Sequence, residues 1–157
     1  MIERDDLIEY VARVHERTRD VVSVIPGELL TWRQHADEFS ISELAVHIAN
    51  ARAWNAQLVT GDSGARYAGH DAANYGTTGA LLALLDGTSE WAMALISAAN
   101  LEALIPSSMG EIAAWRRVFG GLIEHEVHHR SQLCALLSQN GVKPPALYGL
   151  FEEQLPR

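Results

Sequence analysis

Two histidines and a glutamate near the end of the chain have the spacing of a metal site. His125, Glu126 and His129 form the pattern H-E-x-x-H. A helix turns about 100° per residue, so positions 125 and 129 lie about 40° apart on one face, one turn from each other. Two imidazoles at this spacing can bind one metal ion, and the same pattern is the signature of zinc proteases.

The rest of the chain argues against a protease. Such enzymes complete the pattern with a third ligand, usually downstream, and align their peptide along an extended edge. Here only Glu152 and Glu153 are candidates, in a short tail behind two prolines. One protease group would need glycine and histidine where this chain has Gln132 and Ala135. Without a predicted strand for a peptide, we reject this interpretation.

A third ligand must therefore come from another helix. His35 and His70 fall in predicted loops, and His15 lies to one side of the apolar seam of its helix. His47 lies at the edge of a buried helical face, three residues after Leu44 and four before Ala51. Together His47, His125 and His129 would suit zinc, nickel, copper or iron(II). Spacing alone does not choose among these metals, and zinc or nickel is the expected ion. The alternative is that these histidines are core or rim residues with hydrogen-bond partners.

Charged neighbours of the pattern also point inward. Glu126 and Arg130 project toward the apolar arc of their helix, where neither belongs unless paired. We expect them to contact each other and brace the helix; alternatively, Glu126 accepts a proton beside a metal-bound water or thiol. His128 falls outside the arc, facing solvent or a subunit, or supporting the site. Glu126 and His128 are therefore the candidate catalytic residues, whereas Cys134 is expected to be a small core residue.

Hydrophobic periodicity predicts the first two helices. Apolar residues at alternating steps of four and three run from Leu7 to Ile25, and Pro26-Gly27 ends that helix. A second helix should start near Ile41, because Ser40 and Glu43 form a capping box. It is followed by a long connection, residues 60–78, rich in glycine and small residues, and such loops are often functional.

Two further helices complete the prediction. The third covers Leu81 to Ala98, and the fourth begins around Ser108, with a second capping-box pattern, and continues to about Asn140. Gly120-Gly121 within it are best explained by close approach of a neighbouring helix. With no convincing strand, the fold class is all-α, a four-helix bundle, and residues 1–157 are expected to form a single domain.

Charge and composition exclude other classes. The chain has 12 basic and 20 acidic residues, a net charge of −8, which disfavours nucleic acid and anionic membranes as partners. No apolar run is long enough to span a bilayer, and the acidic N-terminus does not resemble a signal peptide. A lone cysteine agrees with a reducing compartment. We expect a cytoplasmic protein.

Three segments resemble one known family. FSISELAVHIANA around His47, HEVHHRSQL in the fourth helix and the terminal GVKPPALYGL match the DinB/YfiT-like proteins, bacterial metal-binding four-helix bundles, in order and spacing. The resemblance spans nearly the whole chain and assigns His47, His125 and His129 as the metal ligands. The family usually has glycine where this chain has Ser131, which affects local helix packing more than the site.

The resemblance also implies a function. Characterised relatives include thiol-dependent enzymes, bacillithiol S-transferases and a mycothiol-dependent isomerase, and many members form homodimers. The resemblance thus implies a metal-dependent transfer of a small-molecule thiol to an electrophilic substrate. Two alternatives remain open: a non-catalytic, stress-related metal-binding bundle, and a hydrolase that uses metal-bound hydroxide.

Overall fold

A computed structural model describes residues 3–108 and 110–156 of the chain, which form a bundle of four long helical segments. The first three are α1 (Arg4–Ser23), α2 (Ile41–Val59) and α3 (Thr78–Ala98). The fourth covers residues 114–139 and contains α4 (Ala114–Arg117), a π-helical segment (Val118–Glu124) and α5 (His125–Gln139). Short 3-10 turns lie at Gly27–Leu29 and Glu152–Gln154. The predicted four-helix bundle is confirmed.

Local chemistry explains where the helices start. The capping box at α2 is present: Glu43 N donates to the Ser40 hydroxyl at 3.2 Å, and Ser40 N donates to the Glu43 carboxylate at 2.7 Å. The Thr77 hydroxyl caps α3 by accepting from Ala80 N at 3.1 Å. These side chains satisfy backbone N–H groups that have no partner within the helix.

The predicted start of the fourth helix at Ser108 is wrong, as is the expectation that the chain lacks strands. Residues 104–113 form a hairpin of β1 (Leu104–Ser107) and β2 (Gly110–Ala113), and residue 109 lies outside the described residues. Pro106 favours extended backbone in the residue before it, and Gly110 has φ +101°, a value that helices do not use. Because Ile105 is also buried in the core, the hairpin prevails over the capping-box pattern.

The core consists of two apolar clusters separated by a layer of polar side chains near the middle of each helix. One cluster contains Leu7, Val14 and Ile96, and the other contains Val21, Leu85 and Leu133. The layer between them, called the polar layer below, comprises His15 and Thr18 of α1, Arg52 and Asn55 of α2, Ser89 of α3, and Glu126 and Arg130 of α5.

Sequence analysis predicts no membrane span, but α3 has the length and composition of one, and among the described residues it is the only helix that does. In the bundle it packs Leu81, Leu85, Ala92 and Ile96 against α1 and α2. Only 22% of this apolar window is buried in the bundle, and a single helix of this kind is weak evidence for a membrane span.

Gly120 and Gly121 lie in the π-helical segment, which packs against α2. A Cβ placed on Gly121 would lie 3.0 Å from the Cβ of Asn55, closer than side chains normally approach, whereas one on Gly120 would meet nothing within 4 Å. The expected close approach of a neighbouring helix is confirmed at Gly121 alone.

This difference predicts opposite effects of two alanine substitutions. Gly121→Ala should lower the free energy of unfolding by about 1–3 kcal/mol, because the buried Asn55 must move. Gly120→Ala, the matched control, should be neutral or stabilising by up to about 1 kcal/mol because alanine restricts the unfolded chain. Urea denaturation of both variants measures the two values, and equal destabilisation would show that packing against α2 is not the reason for the glycine.

Candidate metal centre

The three predicted metal ligands converge on one point between α2 and α5. His47 Nε2 lies 3.3 Å from His125 Nε2 and 3.1 Å from His129 Nε2. Two nitrogens bound tetrahedrally to zinc at about 2.0–2.1 Å are separated by about 3.3 Å. The three side chains are the only cluster of at least three potential ligand residues found among the described residues, with their ligand atoms within 4.8 Å of one another. The arrangement fits a divalent ion and leaves a position for another ligand.

Hydrogen bonds hold two of these rings in the orientation that metal binding needs. His129 Nδ1 lies 2.7 Å from Gln132 Oε1, an acceptor, so the Nδ1 proton is donated and the Nε2 lone pair is free. His47 Nδ1 lies 2.6 Å from the Tyr67 hydroxyl. Such partners of the second ring nitrogen set the tautomer and direction of metal-binding histidines.

The long connection between α2 and α3 takes part in the site. It supplies Tyr67, and Asn50 of α2 ties the loop down by donating to the Gly69 carbonyl at 2.8 Å. The ring of Phe39 stacks on His47 at 5.2 Å and meets His70 edge-on at 4.6 Å. Sequence analysis did not identify Tyr67 or Phe39, and the only signal for the former was the length of its loop.

Partial burial keeps the ligands neutral. Burial, reinforced by the nearby His129, His125 and His70, lowers the pKa of His47 to about 4. Burial is also the main cause that lowers the pKa of His125 and His129. A neutral imidazole is the form that binds metal, so the site needs little deprotonation to accept an ion at neutral pH.

Glu126 has a different partner from the one expected. Arg52, across the bundle on α2, binds its carboxylate with two hydrogen bonds, Nε to Oε2 at 3.0 Å and an NH group to Oε1 at 2.7 Å. Arg130 instead donates to the Val14 carbonyl at 3.0 Å. The predicted pairing requirement is met by an ion pair for Glu126 and by neutral acceptors for Arg130, but the predicted Glu126–Arg130 contact is wrong. Sequence analysis missed Arg52 because its partner lies 74 residues away.

The Glu126 carboxylate is ionised and shielded from water. Only 2% of the residue is exposed. Burial alone would raise the pKa of its carboxyl, but the charge of Arg52, aided by His15 and by hydrogen bonds, holds that pKa below its usual value. Arg52 also donates to the Leu85 carbonyl of α3 at 2.8 Å. The pair therefore connects α2, α3 and α5 directly behind the metal centre.

The other predicted catalytic residue lies at the surface. His128 is exposed, and its ring meets the His129 ring edge-on with centroids 4.8 Å apart. Cys134 is half-buried against the apolar cluster around Leu133, and burial raises the pKa of its thiol, so it behaves as a packing residue.

Two cavities flank the three histidines. One, of about 310 Å³, is lined by His125 itself together with Trp54, Asn55, Arg116 and Arg117, among others. The other, of about 410 Å³, is lined by Phe39 and Gln132, which contact the ligands, and by Asp37 and Glu38. A small molecule can thus reach His125 through the first cavity, whereas the second, which differs in charge, borders residues that contact the histidines.

Fold and site together define a helical bundle with a cluster of three histidines that could hold a metal ion. The sequence model of the DinB superfamily matches residues 10–133, and that of the DinB family matches residues 112–156. The chain belongs to the DinB superfamily. All three histidines lie within the first match, and a search of curated proteins finds no match.

The polar layer makes stability dependent on pH through His15. His15 is 3% exposed, its Nδ1 lies 2.9 Å from the Ser89 hydroxyl, and its Nε2 lies 3.6 Å from Glu126 Oε2. Burial lowers its pKa from 6.5 to about 4, against the attraction of Glu126 and with a further lowering from Arg52. Between these values the unfolded chain takes up a proton that the folded chain does not.

We therefore expect the free energy of unfolding to fall as the pH is lowered from about 6.5 to about 4, with a contribution from His15 of about 3 kcal/mol. His15→Gln, which cannot titrate, should lack this part of the slope. Denaturation of both metal-free proteins across this pH range tests the prediction, because the contributions of the other histidines cancel in the difference. Parallel stability curves would contradict it.

Proposed function

We propose that the chain is a metal-dependent transferase that activates a small-molecule thiol and transfers it to an electrophile. The observation that carries this proposal is the convergence of three neutral imidazoles beside two cavities of differing charge. A bound divalent cation acts as a Lewis acid that stabilises a thiolate at neutral pH, and the thiolate is the reactive nucleophile.

Separate residues would bind the ion and orient its ligands. His47, His125 and His129 would hold the ion, and Tyr67 and Gln132 orient two of their rings. Zinc or nickel is the expected ion, since both accept imidazole ligands. The reaction forms one carbon–sulfur bond: the thiol loses its proton, a sulfur lone pair attacks the electrophilic carbon, and the leaving group departs with the bonding electrons.

Of the two candidate catalytic residues, Glu126 and His128, His128 is better placed to accept the proton that the thiol loses. It is exposed beside His129, so it can exchange a proton with both the site and solvent. Glu126 is a positioning residue in this proposal, because both of its oxygens are bound by Arg52 away from water. Removal of one partner from such a buried pair typically costs about 3–5 kcal/mol of stability.

Cellular location and assembly also belong to the proposal. The protein would be cytoplasmic, where low-molecular-weight thiols are reduced. The expected homodimer would cover the outer face of α3, where Trp91 is 41% exposed on an alanine-rich helix whose exposed face also carries Asp86 and Glu90.

Metal analysis tests the site itself. Protein purified without a histidine tag should carry close to one divalent ion per chain, and His47→Ala, His125→Ala and His129→Ala should each lose most of it. His70→Ala is the matched control, because the His70 ring contacts Phe39 and is not part of the three-histidine cluster. Full metal occupancy in His47→Ala would remove that residue from the site.

Thiol binding tests the activity class. Low-molecular-weight thiols should perturb the visible spectrum of the cobalt-loaded protein and raise its melting temperature, because a ligand that binds only the folded state stabilises it. The same thiols should have no such effect on the metal-free protein. If none of a panel of thiols changes either signal in the metal-loaded protein, the transferase proposal fails and a metal-binding bundle without turnover remains.

A further inference from the structure

The smaller of the two cavities has a wall that suits an anion. Its volume of about 310 Å³ is at the lower end of the range for small-molecule sites. The proposed metal ligand His125 lines this cavity, and so do two positively charged residues, Arg116 and Arg117. Trp54 and Asn55 form part of the remaining lining. A molecule that reaches the metal centre through this cavity must lie close to two guanidinium groups.

Arg117 lacks a partner of its own in the described part of the chain. Its Nε atom is buried and has no hydrogen-bond acceptor there, which is costly for a guanidinium. Arg117 as a whole is only partly buried, whereas the two fully buried arginines both have partners: Arg52 binds Glu126, and Arg130 binds the Val14 carbonyl. Among the side chains that the structure describes, which exclude Glu152, no carboxylate forms an ion pair with Arg116 or Arg117.

Arg116 extends the positive wall to the surface. It is exposed, and its guanidinium lies 5.1 Å from the centre of the Trp115 ring, a contact that limits its freedom. The chain as a whole carries a charge of −8, so attraction of an anion to this place depends on the two arginines rather than on the overall field. The other cavity has the opposite character, since Asp37 and Glu38 line it.

The backbone beside Arg117 is also specialised. The π-helical segment Val118–Glu124 follows it directly and separates it from His125. A π turn holds more residues than an α turn and therefore changes the relative direction of the side chains before and after it, and such turns are frequent at functional sites. Gly120 and Gly121 of this segment line the cavity and contribute no side-chain bulk.

We propose that this cavity binds a carboxylate-bearing small molecule, with its carboxylate on Arg117 and Arg116 and its reactive end toward His125. A guanidinium has parallel N–H donors that match the two oxygens of a carboxylate. The inference rests on the proposed function, because it specifies the substrate class of the same site. The carboxylate belongs to the thiol cosubstrate; Arg117-dependent binding of propionate together with equal affinity for acidic and neutral thiols would instead assign it to the electrophile.

Matched thiols test the inference with the metal-loaded full chain. 3-Mercaptopropionate carries a carboxylate, 2-mercaptoethanol is its neutral counterpart, and propionate has the carboxylate without the thiol. Binding is measured by calorimetry and by the cobalt spectrum. We expect the acidic thiol to bind about tenfold or more tightly than the neutral one. This preference should weaken as salt concentration rises.

Substitution of Arg117 identifies the group responsible. Arg117→Gln should remove most of the preference and leave the affinity for 2-mercaptoethanol within about twofold, since that thiol makes no ion pair. Arg117→Lys should retain part of the preference, because it keeps the charge but not the fork. Arg13→Gln is the control: it loses the same charge at an exposed position on α1, and its affinities should be unchanged. Melting temperatures identify any variant that fails to fold.

The outcomes separate this inference from the proposed function. Equal affinity for the acidic and neutral thiols, unaffected by Arg117→Gln, overturns the inference and leaves the transferase proposal standing. If no thiol perturbs the cobalt spectrum but propionate binds in an Arg117-dependent manner, the transferase proposal fails and the carboxylate site stands. Arg117-dependent preference for 3-mercaptopropionate together with a cobalt spectral change supports both.

Discussion

The buried ion pair between Arg52 and Glu126 is the interaction around which this bundle is organised. It joins α2 to α5, the two helices that carry the three clustered histidines, and it extends to α3 through the Leu85 carbonyl. Both residues are 2% exposed, so the pair is stable only because every charge meets a partner. A shift of one helix along the other would leave a buried charge unpaired, which fixes the register of α2 against α5.

That register is what the metal centre needs. Glu126 directly follows His125 in sequence. The rotation of α5 about its axis therefore sets both directions at once: the carboxylate faces the core and the imidazole faces the site. On the other helix, Arg52 enters the core and His47 reaches the half-buried site one and a half turns earlier. An ion pair and a metal centre thus share one helix interface, with the pair on its dry side and the centre at a surface where small molecules can enter.

Much of the fold was predictable because its signals are local. Apolar periodicity located the first three helices, and the capping box of Ser40 and Glu43 located the start of α2 within a residue. The same kind of signal misled at Ser108, where a capping-box pattern coincides with a hairpin. There, Pro106 and the positive φ of Gly110 outweigh the pattern, and the burial of Ile105 decides between helix and strand. Burial is a tertiary property that a local motif does not report.

The sequence by itself determined which histidines come together, because the helical face of His125 and His129 and the edge position of His47 follow from spacing. The partners of these residues were decided by the tertiary structure. Glu126 is bound by Arg52 from another helix, and His47 contacts Tyr67 of a loop. Arg117, whose Nε has no acceptor, is brought near His125 across an irregular backbone turn. The period of the apolar residues in a sequence shows which helix faces are buried. Which side chains meet across two buried faces depends instead on helix register and rotation. Those are set by packing of the whole bundle.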